Sequence, residues 1–154
     1  MMDGLTRAQI RATTLAALQA STALTAIIPA DHIFDSRLTP TVYADGATIT
    51  VWTDGQRGQP IGMASAGYQV WGVDTDVVCE LRAPGTAGTE ETMADVADTM
   101  IAALLESAAW IAQADNGPPV WTVSEPFRSD DGDRTWVGIH LLVTLSHLRA
   151  YATS

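Results

Sequence analysis

Apolar positions recur at helical intervals near the start of the chain: Ile10, Ala17, Leu18, Leu24 and Ile28 fall on one side of a 3.6-residue spiral. Thr6 and Gln9 have the spacing of a capping box, so the helix is expected to begin at Thr6, with a break near Ser21 and a stop at Pro29. A short extended piece, His32 to Phe34, follows. After a Pro40 turn and Asp45-Gly46 comes a strand over Ala47 to Thr53. Ile49 and Val51 point one way there; Thr48, Thr50 and Trp52 point the other. Asp54 to Gly67 carries four glycines and a proline and reads as a long connection of the kind that is usually functional or disordered.

Strict alternation returns over Gln69 to Arg82. Val73, Thr75, Val77, Cys79 and Leu81 form one face, and Asp74, Asp76, Glu80 and Arg82 form the other. That is a strand with a dry side and a wet side. From Thr89 to Ile111, the residues Met93, Val96, Ala97, Met100, Ile101, Leu104, Leu105 and Ala108 make a helical stripe. Thr89 suits its N-cap, and Glu90 and Glu91 suit its first turn. A hairpin closes the chain: Val120 to Phe127, a turn around Asp130-Asp131-Gly132-Asp133, and Arg134 to about Leu148. The order predicts an α+β fold. A mostly antiparallel four- to five-stranded sheet carries helices packed on one face, in two layers.

The length, 154 residues, predicts a single domain over 1–154 that buries roughly 70% of the unfolded chain's surface. Eight Arg, no Lys and eighteen acidic residues leave a formal charge of −10. Such a balance argues against a nucleic-acid binder, whose affinity starts from cationic side chains. One cysteine makes no internal disulfide. The apolar stretch Leu15–Ile28 is broken by Gln19, Ser21, Thr22 and Thr25, too polar to span a membrane and without the cleavage site of a signal peptide. It reads as a mature amphipathic helix in an intracellular protein.

Candidate chemistry is sparse. His140 and His147 lie seven residues apart on one predicted strand, so they face opposite ways and stand about 23 Å apart. His32 with Asp31 and Asp35 offers three ligand-type side chains, but nothing completes a metal pattern, and a solvated turn accounts for them. Cys79 is in phase with the core. Asp74, Asp76 and Glu80 share a strand face, which suits an acid/base pair in principle and a wet face in general. Gly62 to Gly67 approaches G-x-S-x-G, with Met63 where the first glycine belongs. Gly85 to Thr89 precedes a helix but lacks the lysine of a P-loop, and Glu90 and Glu91 would repel phosphate. A calcium loop starting at Asp131 would need Glu where Leu142 stands. No catalytic constellation, metal or cofactor is expected.

The elements in sequence are the helix Arg7 to Leu18, the segment Ile33-Phe34-Asp35, the strand Thr48 to Trp52 with its Gly-rich loop, the strand Val73 to Leu81 feeding a long helix, and Phe127 to Trp136 around an acidic turn. This arrangement resembles the minor tail protein U family, the tail terminators of long-tailed bacteriophages. The resemblance covers nearly the whole chain in element order and length. The chain departs from it in the longer Gly-rich loop 54–67 and the Pro-rich 115–119 segment.

The resemblance implies a non-enzymatic structural protein, a homohexameric ring that caps the tail tube and ends its growth. Its partners would be its own copies, the tail tube protein and the head–tail connector or neck protein. It implies a place in the virion at the head-proximal end of the tail, after assembly in the host cytoplasm. Six copies would carry −60 formal charges, from −10 each, and DNA would pass such a channel without specific binding. On this reading Arg57 contacts the tube or a neighbouring ring. The hairpin with Arg128, Asp130, Asp131, Asp133 and Arg134 contacts the next subunit through charge-assisted Arg–carboxylate bonds. Two other readings stand beside it. One is a head–tail connector ring. The other is a small α+β enzyme or ligand-binding module with a pocket between helix and sheet, where His140 beside Trp136 and Leu142 would be the suspect site. A deep pocket holding His140 and a carboxylate would favour the enzyme; a flat sheet face with paired edges would favour the ring.

Overall fold

The computed structural model describes residues 2–36, 46–65, 67–85, 89–131 and 134–152. Its frame is two long antiparallel strands, β4 (Tyr68–Pro84) and β7 (Arg134–Ala152). They pair without a register shift from Tyr68 opposite Ala152 to Pro84 opposite Trp136. The alternation read from the sequence explains this. Val77, Cys79 and Leu81 on β4 and Val137, Ile139, Leu141, Val143 and Leu145 on β7 are all buried on one face, and a slip of one residue would turn every one of them to water.

Helices cover that face. Helix α1 (Arg7–Ala20) opens with the expected capping box: Gln9 N–H donates to Thr6 Oγ1 at 3.1 Å, and Thr6 N–H donates to Gln9 Oε1 at 2.7 Å. It ends at Ser21, which in turn caps the short α2 (Thr22–Thr25). The α1 helix lies against β2 (Ile33–Asp35) and β3 (Thr48–Ser65), and α3 (Thr89–Leu105) lies against β4 and β7. Ile10, Leu18, Leu24, Met100 and Leu104 from these helices are fully or almost fully buried. The helix expected to run from Thr89 to Ile111 is two. Ser107 breaks it by capping α4 (Ala108–Ile111), its Oγ accepting from Trp110 N–H at 3.2 Å. Thr89, the expected N-cap, is the first residue of α3 and its side chain is not among those described, while residues 86–88 lie outside the described set. The Pro40 turn and Asp45 also fall outside it.

The fold is α+β with a mostly antiparallel sheet and helices on one face. The described residues hold seven strands instead of four or five, because short strands line the edges. The path is β1-β7-β4-β3-β2, with only β2 and β3 parallel. The outer side of β7 is covered in relay. β6 (Phe127–Asp131) pairs with residues 134–138, β5 (Val120–Val123) with 141–144, and β1 (Met2–Gly4) with 149–151. Between them Ser124 N–H donates to His140 C=O, Asn116 N–H donates to Ser146 C=O, and Asp115 Oδ1 accepts from Leu148 N–H. Backbone groups that a missing neighbour would leave unpaired are thus satisfied. The single strand expected from Val120 to Phe127 is interrupted over Ser124–Pro126, where the proline has no N–H to offer a ladder.

One expectation is overturned. Residues 54–65 are not a connection but the continuation of β3, paired with β4 until Ser65 faces Tyr68. The reversal has Gly67 at φ +89°, a left-handed conformation that glycine adopts without strain. None of the described helices is long and apolar enough to cross a membrane.

Candidate assembly surface

The register shift at Asp54 decides the layout of the extended hairpin. Thr53 faces Val77, but Gly55 faces Asp76, so Asp54 is an extra residue and the strand exchanges which parity points to which face. Before the shift the odd residues Ile49 and Val51 enter the core. After it the even residues Gln56 and Gly58 share the helix-side face, opposite Thr75 and Val73, and Arg57 lies on the open face opposite Asp74. The core residues of β4 begin at Val77. From Asp76 to Tyr68 the sheet continues beyond that core cluster as an arm about 26 Å long, at ~3.3 Å per residue, with Val73, Thr75, His147 and Arg149 on its helix-side face still buried.

The open face carries a cross-strand polar ladder between β4 and β7. Ser146 Oγ donates to Asp74 Oδ1 at 2.5 Å, and Thr144 Oγ1 donates to Asp76 Oδ1 at 2.7 Å. His140 Nε2 lies 2.7 Å from Glu80 Oε2. All three are directly opposed pairs in the register, the geometry in which cross-strand side chains meet. Arg57 grips Asp76 with two bonds of 2.5 and 3.2 Å. Those bonds, helped by the Thr144 hydroxyl, hold the Asp76 carboxyl below its ordinary range against the opposing effect of burial. The same contact raises the Arg57 guanidinium.

The proposed interface residues are placed as follows. Arg57 stands on the arm, 60% exposed, bonded to Asp76 of its own chain. Arg128 on β6 bonds Glu90 of α3 at 2.7 Å, both half exposed, tying the hairpin to the helix layer. Asp130 accepts from Thr135 Oγ1 at 2.8 Å across the hairpin. Asp131 and Arg134 face each other in the register, and their side chains are not among those described. Asp133 lies outside the described residues. Arg57 and the hairpin are therefore separate patches, Arg57 beside the middle of the β4–β7 ladder at Asp74 and Asp76 and the hairpin at its Pro84–Trp136 end.

His140 meets one condition of the enzyme reading, since Glu80 is within hydrogen-bond reach. Its ring packs edge-on to Trp52 and Phe127, with centroids 5.9 and 5.0 Å away, and the grooves beside Arg57 and Trp71 are lined by neither His140 nor Glu80. Of the Asp31, His32 and Asp35 trio, Asp35 pairs with Arg11 at 2.8 Å. No group of metal-ligating side chains gathers among the described residues. Cys79 is wholly buried in the core, and its thiol is pushed up to about 12 by burial, where it has no nucleophilic thiolate at neutral pH.

Sequence reasoning missed two features. One is the arm, whose glycines and register shift hide its alternation. The other is a buried polar group on the helix-side face at the arm's base. There Gln56 Nε2 donates to Thr75 Oγ1 at 2.8 Å, Thr75 Oγ1 lies 2.9 Å from His147 Nε2, and Arg149 follows two residues along. The in-phase positions of His147 and Arg149 after Leu145 were the available signal. His147 and His140 do face opposite ways, as their spacing predicts.

No protein-family model matches this sequence, and no curated protein matches it. Among solved structures, a chain described as "Virion of native gene transfer agent (GTA) particle" aligns at a TM-score of 0.49 and 14% identity, over 88% of this chain and 93% of that one. At this level of likeness neither activity nor partner transfers.

Proposed function

We propose that this protein is a structural component of a phage-like virion, a tail terminator whose copies close into a hexameric ring. The ring caps the tail tube, stops its polymerisation and offers a surface to the head–tail connector. The observation that carries the reading is the outer edge of β3. Past Val51, no described strand pairs with it on the side away from β4, although it runs on to Ser65. A long free edge is a hazard in a lone monomer and a ready joint in an assembly.

The opposite side of the sheet presents different strands, β6, β5 and β1. A contact between unlike patches is heterologous, and such contacts close into rings when the rotation per subunit divides a full turn. Arg128, Asp130, Asp131 and Arg134 lie on or beside that side and, with Asp133, would meet the neighbouring copy, whereas Arg57 on the arm would meet the tube. The element order shared with tail terminators supports the same reading. A lumen lined by copies that each carry −10 would pass DNA without holding it.

Light scattering over a wide concentration range, with negative-stain images, tests the ring. Six copies of the 16.3 kDa chain form an annulus of about 98 kDa. Added tail tubes then separate a terminator, which caps them, from a connector ring, which leaves them growing. A monomer that neither assembles nor caps tubes would sink both ring readings.

A further inference from the structure

Arg149 lies on β7 directly opposite Trp71, on the helix-side face of the arm, and is only 7% exposed. Its stem passes over Gly4 of β1, so close that any side chain at Gly4 would collide with it. Arg11, Arg57 and Arg128 each reach a carboxylate. Arg149, more buried than any of these, reaches none among the described residues. Its Nη1 donates to the Tyr151 hydroxyl at a long 3.3 Å, and its Nε is buried without a partner. The neighbouring His147, fully buried on the same face, likewise leaves Nδ1 unpartnered. A buried cation with one weak neutral contact is costly, and proteins ordinarily pair it.

Beside it lies a groove of about 480 Å³, lined by Gln56, Gly58, Gln69, Trp71, Val73 and Tyr151. Its aromatic wall is formed by Trp71 and Tyr151, edge to face with centroids 6.4 Å apart. Tyr151 is 36% exposed, so its ring is the solvent-facing part of that wall. We propose that this groove receives a segment of a different protein that presents a carboxylate next to an apolar side chain. The apolar group lies against Trp71 and Val73. The carboxylate displaces the Tyr151 hydroxyl and meets the guanidinium end-on, accepting from Arg149 Nη1 and Nη2. Charge complementarity selects the occupant: the guanidinium needs an anion, and the apolar walls exclude a bare one. The assignment rests on this geometry alone and is independent of whether the chain forms a ring.

The test uses 3-phenylpropionate as the probe and 3-phenylpropionamide, the same body without charge, as its control. Binding is followed by the indole N–H resonance of Trp71 at pH 7.5. The acid should bind roughly tenfold or more tightly than the amide, as a charge-assisted bond requires. Arg149→Met should abolish that preference while melting no lower than the wild type, because removing an unpaired buried charge relieves the fold. Tyr151→Phe, which deletes the competing hydroxyl, should tighten the acid and leave the amide unchanged. Equal binding of acid and amide, or a preference that survives in Arg149→Met, would overturn the proposal. An assembly of this chain that the acid or Arg149→Met takes apart would overturn it too, by showing a second copy in the groove.

Discussion

The indole N–H of Trp110 donates to the hydroxyl of Thr14 at 3.0 Å, across 96 residues of chain. Both side chains are buried, and Thr14 passes its own proton to the Ile10 carbonyl at 2.8 Å. Alongside it, Gln113 Nε2 donates to Thr13 Oγ1 at 2.8 Å. These bonds fix α4 on α1 and so lock the break at Ser107 into the helical layer. Thr14→Val keeps the shape but leaves the indole N–H buried and unpaired. It should cost about 1–3 kcal/mol, read from urea unfolding. A loss below ~0.5 kcal/mol would mean that the bond contributes nothing beyond packing.

Gly138 of β7 lies under the ring of Phe127, and a Cβ built there would come within 2.5 Å of two of its ring carbons. The bare backbone is what lets Phe127 fold over the ladder and anchor β6. Gly138→Ala should destabilise by about 1–3 kcal/mol through overpacking. Combined with Phe127→Ala it should cost clearly less than the sum of the two single changes. Strict additivity in the thermal melts would contradict this contact.

Burial, reinforced by Arg149, holds the His147 imidazole below its ordinary value of 6.5. Between the folded and unfolded values the unfolded chain binds more protons, so stability rises with pH there. The contribution is whole above about pH 6.5 and is lost as the pH falls toward the depressed folded value. Urea midpoints from pH 7.5 to 5 should decline, and His147→Gln should flatten that decline. An identical slope in the variant would assign the effect to other groups.

Asp76 works in the same direction at lower pH. Its carboxyl is held below the ordinary 3.8, first by Arg57 and then by Thr144. Its contribution is complete above about pH 4 and is lost as the pH falls through the folded value. Asp76→Asn should remove part of the acid-unfolding slope below pH 4. An unchanged acid limb would show that the Arg57 grip is not present in solution.

Arg128 and Glu90 form a half-exposed pair, and such pairs contribute little to a monomer, about 0–1 kcal/mol. Arg128→Glu should therefore shift the monomer's melting only slightly. If the hairpin meets a neighbouring copy, the same change should abolish the annulus in negative stain. A ring that persists in Arg128→Glu would remove the hairpin from the interface.

Local signals carried much of the layout. The capping box at Thr6 and Gln9, the break at Ser21, the dry face from Val73 to Leu81 and the opposite facing of His140 and His147 all depend on spacing within one element, and the structure keeps them. The hairpin turn placed Asp131 opposite Arg134 as the turn residues suggested. The candidate site was less legible. Arg57 stood out as a lone cation in a Gly-rich run, but its pairing with Asp76 depends on how β3 meets β4, which spacing within β3 does not encode.

The arm shows the division most clearly. By itself the sequence determined helices, strands and their faces wherever a periodic pattern ran unbroken, because burying one face of a regular element demands that period. At Asp54, and again where Pro60 gives way to Gly62, the register shifts. Each extra residue reverses the alternation, so a continuous strand reads as an irregular loop. Only pairing against β4 restores the strand, through hydrogen bonds that belong to two segments at once. The same holds for Arg149, whose position was written in the chain. That it would be buried beneath Gly4 and beside Tyr151, with no carboxylate in reach among the described residues, was decided by which strands came together.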